Sequence, residues 1–120
     1  MEVFVFGSNL AGAHGGGSAA HAHQEHGAVW GEGVGFHGKS YAIPTLCQKL
    51  QKLALYDIEA HVGDFIVFAE ANPDKVFNIV AIGCGIAGFM PEEIAPMFRD
   101  APLNCTLPPE FIEGLDRRAP

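Results

Sequence analysis

The chain has 120 residues, 48% of them hydrophobic, which is apolar material for one core and predicts a single domain over 1–120. Its formal net charge is −7 with only seven Lys and Arg, which excludes the basic stripe that a nucleic-acid groove needs to displace counterions. With no charged-then-apolar leader and no apolar run of about twenty residues, the sequence predicts neither secretion nor a membrane span, and a cytoplasmic location.

In chain order, residues 2–6 are β-branched and aromatic, are followed by Gly7, and predict a buried strand. Residues 18–26 predict a helix entered from glycines and stopped at Gly27. Residues 39–43 read as a strand ending at Pro44. Over 57–72, Ile58, Val62, Phe65, Ile66 and Ala69 share one helical face, with Asp57 as the expected N-cap and Pro73 as the stop. Residues 76–82 predict a second buried strand, closed by Gly83. Pro91 suits the first position of a helix, Glu92 and Glu93 favour its dipole, and Ile94, Met97 and Phe98 face inward. Residues 103–107 predict a final edge strand before Pro108 and Pro109, and 116–120 form a short polar end. Strands alternating with helices imply an α/β fold with a mostly parallel sheet covered on both faces. No internal repeat or linker interrupts this order.

Fifteen glycines are about double the average share, and they cluster. The eleven residues from Gly7 to Gly17 hold five of them, including Gly12, Gly15, Gly16 and Gly17, together with Ser8, Asn9 and His14. A second cluster runs Gly83, Cys84, Gly85, Ile86, Ala87, Gly88, Phe89. Each follows a predicted strand and precedes a predicted helix, so both fall on the carboxyl edge of a parallel sheet, where ligands bind. Glycine lets consecutive N–H groups converge on an anion, and a helix N-terminus adds about half a positive charge. Tight turns alone do not need eleven residues with five glycines. With so few basic residues, backbone amides have to do most of any phosphate binding.

Other patterns compete for attention. Gly33 to Ser40 spells GxxxxGK[ST] around Lys39, yet a P-loop needs a preceding strand and a helix starting at its Lys and Ser, and here a strand-like stretch with Pro44 follows. Gly83, Gly85 and Gly88 spell GxGxxG, but the acidic residue expected some twenty positions on is missing, which argues against a Rossmann dehydrogenase. His21, His23 and His26 raise a metal site. On a helix only His23 and His26 share a face, His21 reaches Glu25, and HExxH is absent, so a solvated polar face is expected and no metal or cofactor is assigned. The three cysteines, Cys47, Cys84 and Cys105, form no CxxC pair or disulfide framework. Amides around Cys84 could activate its thiolate, but no base lies beside it in sequence, and a small buried residue is the plainer role.

Three segments together carry a family likeness: Phe4 to Gly12 (FVFGSNLAG), Gly38 to Thr45 (GKSYAIPT) and Ala81 to Phe89 (AIGCGIAGF). They resemble the macrodomain superfamily, and more closely a small macrodomain-like family of phages and prophages, over most of the chain. The resemblance implies a three-layer α/β/α sandwich that binds ADP-ribose or a related NAD-derived nucleotide, free or on an ADP-ribosylated macromolecule. It implies Asn9 orienting the distal ribose, Gly15, Gly16 and Gly17 at the diphosphate, and Gly85, Ile86 and Gly88 in the second phosphate loop. Two features depart from the family pattern: Ala87 replaces the usual aromatic, and no segment matches the strand with the adenine-binding aspartate. The run GGG at 15–17 followed by Gln24 and Glu25 is also similar to the GGG…QEE signature of poly(ADP-ribose) glycohydrolases, with His26 in place of the last acid. That similarity implies a possible ADP-ribosyl hydrolase with Glu25 or Glu32 as acid, and Asn9 or His14 positioning water. The alternatives are a non-catalytic module that sequesters a nucleotide and, more remotely, a P-loop-like or metal-dependent phosphohydrolase. For Glu25 the plain reading is an exposed helix residue.

Overall fold

A computed structural model describes residues 1–118, as an α/β fold built on one mixed five-stranded sheet. The strands are β1 (Glu2–Asn9), β2 (Gly35–His37), β3 (Ser40–Leu46), β4 (Val76–Ile79) and β5 (Cys105–Thr106), in the order β2-β3-β1-β4-β5. The helices are α1 (Gly17–Glu25), α2 (Leu55–Ala71), α3 (Pro91–Ile94) and α4 (Pro109–Arg118), with a 3₁₀ turn at Ala95–Phe98. β3, β1, β4 and β5 pair in parallel, and β2 adds to β3 antiparallel. Among the described residues no helix is long and apolar enough to cross a membrane.

β1 explains the layering. Its side chains alternate, so Val3 and Val5 join a large core with Ile58, Val62 and Phe65 of α2 and Ile94 of α3. Phe6 joins a smaller core with Ala19 and Ala22 of α1. Being buried on both faces, the strand reads as an unbroken apolar run. The larger core is rich in aromatic contacts, with Phe65 edge-on to Phe77 at 5.4 Å and Phe98 stacked on Phe111 at 5.4 Å. Asn104 anchors one end of it, its Nδ2 donating to the carbonyls of Ala69, Asn72 and Lys75 at 3.1 Å each.

Several expectations need correction. β1 does not stop at Gly7 but pairs through Ser8 and Asn9 with Pro44 and Leu46, with a register shift between them. Gly7 is small because the second loop passes over it, where a Cβ would lie 3.3 Å from the Gly83 nitrogen. Pro44 lies inside β3 rather than ending it. Pairing with β2 reaches only Ala42 and the ladder to β1 is irregular here, so the missing N–H is tolerated. β4 ends at Ile79. Ile82 is buried all the same, so its hydrophobicity reports burial rather than strand pairing.

The N-cap of α2 is Ala54, which makes no side-chain cap, and Asp57 sits in the first turn, where it meets the helix dipole. Pro109 does not end structure but opens α4, since a proline at the first helical position forfeits only an N–H without an intrahelical partner. The expected polar end is partly this helix, and positions 119–120 lie outside the described residues. The P-loop look-alike is a hairpin. β2 precedes Gly38 and Lys39, and Ser40 opens β3, so no helix starts there.

Candidate functional site

The chain leaves β1 towards β3, and from β3 it crosses to β4 on the other side of β1. α1 packs on one face of the sheet, while α2 and α3 pack on the other. The carboxyl ends of β1 and β4 therefore open a crevice between connections that depart to opposite faces, the place where open parallel sheets bind ligands. A cleft of about 640 Å³ occupies it.

All the residues expected to hold a ligand line this cleft, except Gly88 and Phe89: Gly7, Ser8, Asn9, Gly15, Gly16, Gly17, Gly83, Cys84, Gly85, Ile86 and Ala87. The loops after β1 and β4 also come close to each other. A Cβ at Gly16 or at Gly17 would lie 3.5 Å from Cδ1 of Ile86, whose side chain is 78% exposed and reaches across from the second loop. Phe89 is buried beneath that loop and packs against Lys52, whose Nζ is 4.7 Å from the ring centroid and 3.5 Å from the Gly88 carbonyl.

Residues with unsatisfied amides line this space. α1 has no side-chain cap and no acid in its first turn, and its first helical hydrogen bond runs from Ala20 N–H to Gly16 O at 3.2 Å. Among the described residues, the N–H groups of Gly15, Gly16, Gly17, Ser18 and Ala19 donate to no protein acceptor. The same holds for Gly85, Ile86 and Ala87. Of the two helices that follow these loops, only α1 is long enough to contribute a dipole of any reach. The second loop leads into α3, four residues long, so the expected dipole there is slight.

The proposed chemical residues are placed less favourably. Asn9 lines the cleft, but its side chain closes its own loop, with Nδ2 donating to Ala13 O at 2.9 Å and Oδ1 accepting from Ala13 N–H at 3.0 Å. His14 is buried and turned away. Its Nε2 lies 2.9 Å from Val29 O and 3.2 Å from Glu32 O, so Nε2 carries the hydrogen and Nδ1 is left buried without a partner. Glu25 is at the far end of α1, about 12 Å along the axis from Gly17 at 1.5 Å rise per residue, and is exposed outside the cleft. Glu32 is also outside, its carboxylate 3.9 Å from His37 Nε2. The histidine geometry differs from a regular helix face, because His26 leaves helical geometry as the C-cap and its Nε2 sits 3.2 Å from Nε2 of His21. His23 instead bonds Ala28 O at 2.8 Å. Among the described residues, no three His, Cys, Asp or Glu converge as metal ligands.

Cys84 lines the cleft as a thiol. Burial, and then the carboxylates of Glu110, Glu92 and Glu93, push its pKa up to about 11, which is opposite to thiolate activation.

Among the lining residues that were not expected from the sequence, two carry chemistry, Trp30 and Glu110. Trp30, the one tryptophan, is 56% exposed at the cleft rim, edge-on to His14 and His23 at 6.0 and 5.8 Å. An isolated large aromatic inside a glycine-rich polar loop was its one sequence signal. Glu110 comes from the first turn of α4, a helix the sequence reading did not contain, so nothing pointed to it. Among the described residues, no Lys, Arg or His lines the cleft, and Glu110 is the only carboxylate that does. Comparison with protein-family models, with curated proteins and with solved structures returned no match, so the functional reading of this chain rests on the geometry of its cleft.

Proposed function

We propose that the protein is a macrodomain-like three-layer α/β/α sandwich that binds ADP-ribose or a related NAD-derived nucleotide in this cleft. One observation carries the reading: among the described residues, two runs of unsatisfied amides, Gly15 to Ala19 and Gly85 to Ala87, line a single cleft without a basic side chain. Preorganised N–H groups at a helix N-terminus and in glycine loops bind phosphate oxygens without a cation. Ile86 then covers the anion from the opposite loop. The cleft volume lies within the roughly 300–1,000 Å³ of small-molecule sites.

The binding-module form is favoured over the hydrolase form. Glu25 and Glu32 do not line the cleft, and the Asn9 amide and the His14 Nε2 are already engaged by the backbone. Hydrolysis would fall to Glu110, the single carboxylate among the described lining residues. Isothermal calorimetry with ADP-ribose, ADP, ATP with magnesium, and ribose 5-phosphate tests the proposal. ADP-ribose should bind most tightly, and no heat with any of the four would refute it. Incubation with an ADP-ribosylated protein separates the two forms, since the module releases no ADP-ribose.

A further inference from the structure

The cleft presents two opposite electrostatic demands. The amides of Gly15 to Ala19 sit at the positive end of α1 and attract anions. Glu110 brings a full negative charge into the same lining, which among the described residues holds no lysine, arginine or histidine. Its carboxylate makes no hydrogen bond or ion pair among the described residues. Its field is felt on the second loop, where it is one of the charges that hold the Cys84 proton on. An acceptor in that position rewards ligand groups that donate hydrogen bonds and penalises additional negative charge.

Pyrophosphates differ in this respect. One esterified at both ends carries roughly two negative charges, which can both lie over the amides, and offers hydroxyls and amines on either side. A terminal diphosphate or triphosphate carries roughly one or two charges more at neutral pH, because a phosphate monoester's second pKa is about 6. Among the described residues, no cation in this lining meets the extra charge.

We propose that Glu110 is a specificity-determining residue that selects pyrophosphates capped at both ends and rejects terminal phosphates, repelling their extra charge and accepting hydrogen bonds from the cap. This rests on the reading of the cleft as a nucleotide site.

The test is calorimetry of wild type and Glu110→Gln with ADP-ribose, ADP and ATP, without magnesium, at low salt and at 0.5 M salt. Glu110→Gln should improve ADP affinity roughly fivefold and ATP affinity more, and weaken ADP-ribose, with the gains shrinking at high salt. A matched urea midpoint for the two proteins shows that the variant is folded. An unchanged ADP-ribose to ADP ratio in Glu110→Gln overturns the assignment and leaves the cleft reading standing. Failure of every nucleotide to bind wild type overturns both. The inosine analogue of ADP-ribose identifies the donor. If Glu110 meets the base amine, the analogue, with a carbonyl in the amine's place, binds Glu110→Gln better than wild type, and if it meets ribose hydroxyls, the analogue behaves as ADP-ribose does.

Discussion

The loop after β1 is fastened along most of its length, whereas the loop after β4 is closed mainly on itself. In the first, Leu10 N–H donates to Leu46 O, Gly12 N–H to Asn9 O, and Gly31 N–H to Gly12 O, all within 3.0 Å. Ser8 Oγ donates to Gly33 O, the Asn9 side chain grips Ala13, and His14 holds the strip that carries Trp30. Backbone meets backbone there. A Cβ at Gly12 would run into Gly31, and one at Gly33 into the Asn9 carbonyl. The second loop has Cys84 N–H to Ala81 O at 3.1 Å, Gly88 N–H to Gly85 O at 3.0 Å and Phe89 N–H to Gly83 O at 2.8 Å, all local, with Lys52 as its long-range tether. Nothing lies within 4 Å of a Cβ placed on Gly85. Two glycine-rich stretches that look alike in composition thus do different jobs. The first uses Gly12 so that two backbone segments can touch and has open amides only from Gly15 on, whereas the second leaves Gly85 to Ala87 open with no such close approach at Gly85.

The contrast can be broken by mutation, beginning with the largest effect. Gly33→Ala should cost at least about 3 kcal/mol in urea denaturation or prevent folding, because backbone, not a movable side chain, blocks the new methyl. Asn9→Ala removes two part-buried hydrogen bonds and should cost about 1–3 kcal/mol, with a loss of ADP-ribose binding measured by calorimetry. Ile86→Ala should leave the urea midpoint almost unchanged, within about 0.5 kcal/mol, since the side chain is exposed, yet weaken ADP-ribose roughly five- to tenfold. Equal stability losses for Gly33→Ala and Gly85→Ala would erase the distinction. Gly85→Ala is expected to stay within about 0.5 kcal/mol of wild type.

The smallest effect concerns Cys84. Its thiol holds its proton up to about pH 11, so the thiolate fraction is low at pH 8, and alkylation should keep accelerating beyond pH 9, the ordinary thiol value, rather than levelling off there. Burial is the largest cause and persists in Glu110→Gln, so that variant should speed Cys84 alkylation only modestly, as mass spectrometry of the labelled peptide would show.

Much of the scaffold was legible because it rests on local patterning. The continuous apolar run of β1, the helical spacing of Ile58, Val62, Phe65 and Ala69, and the proline opening α3 each state their structure within a few residues. The two glycine loops were legible for the same reason, since a positive φ at Gly12, Gly17, Gly83 or Gly88 is a local demand that favours glycine. The failures came where context overrode the local signal. Pro44 continues a strand because its neighbour's pairing has already ended, the helix that Pro109 opens was not expected at all, and His26 turns out of α1 to meet His21.

By itself, then, the sequence determined an α/β order, an acidic chain with few basic residues, and two glycine loops at strand ends, because composition and short-range periodicity encode these directly. Only the tertiary structure decided that the loops face each other across one cleft, that His14 and Asn9 are tied up in holding backbone, and that Trp30 and Glu110 border the opening. Those facts depend on strand order and on contacts between residues far apart in the chain, such as Gly16 with Ile86, and no local pattern specifies them.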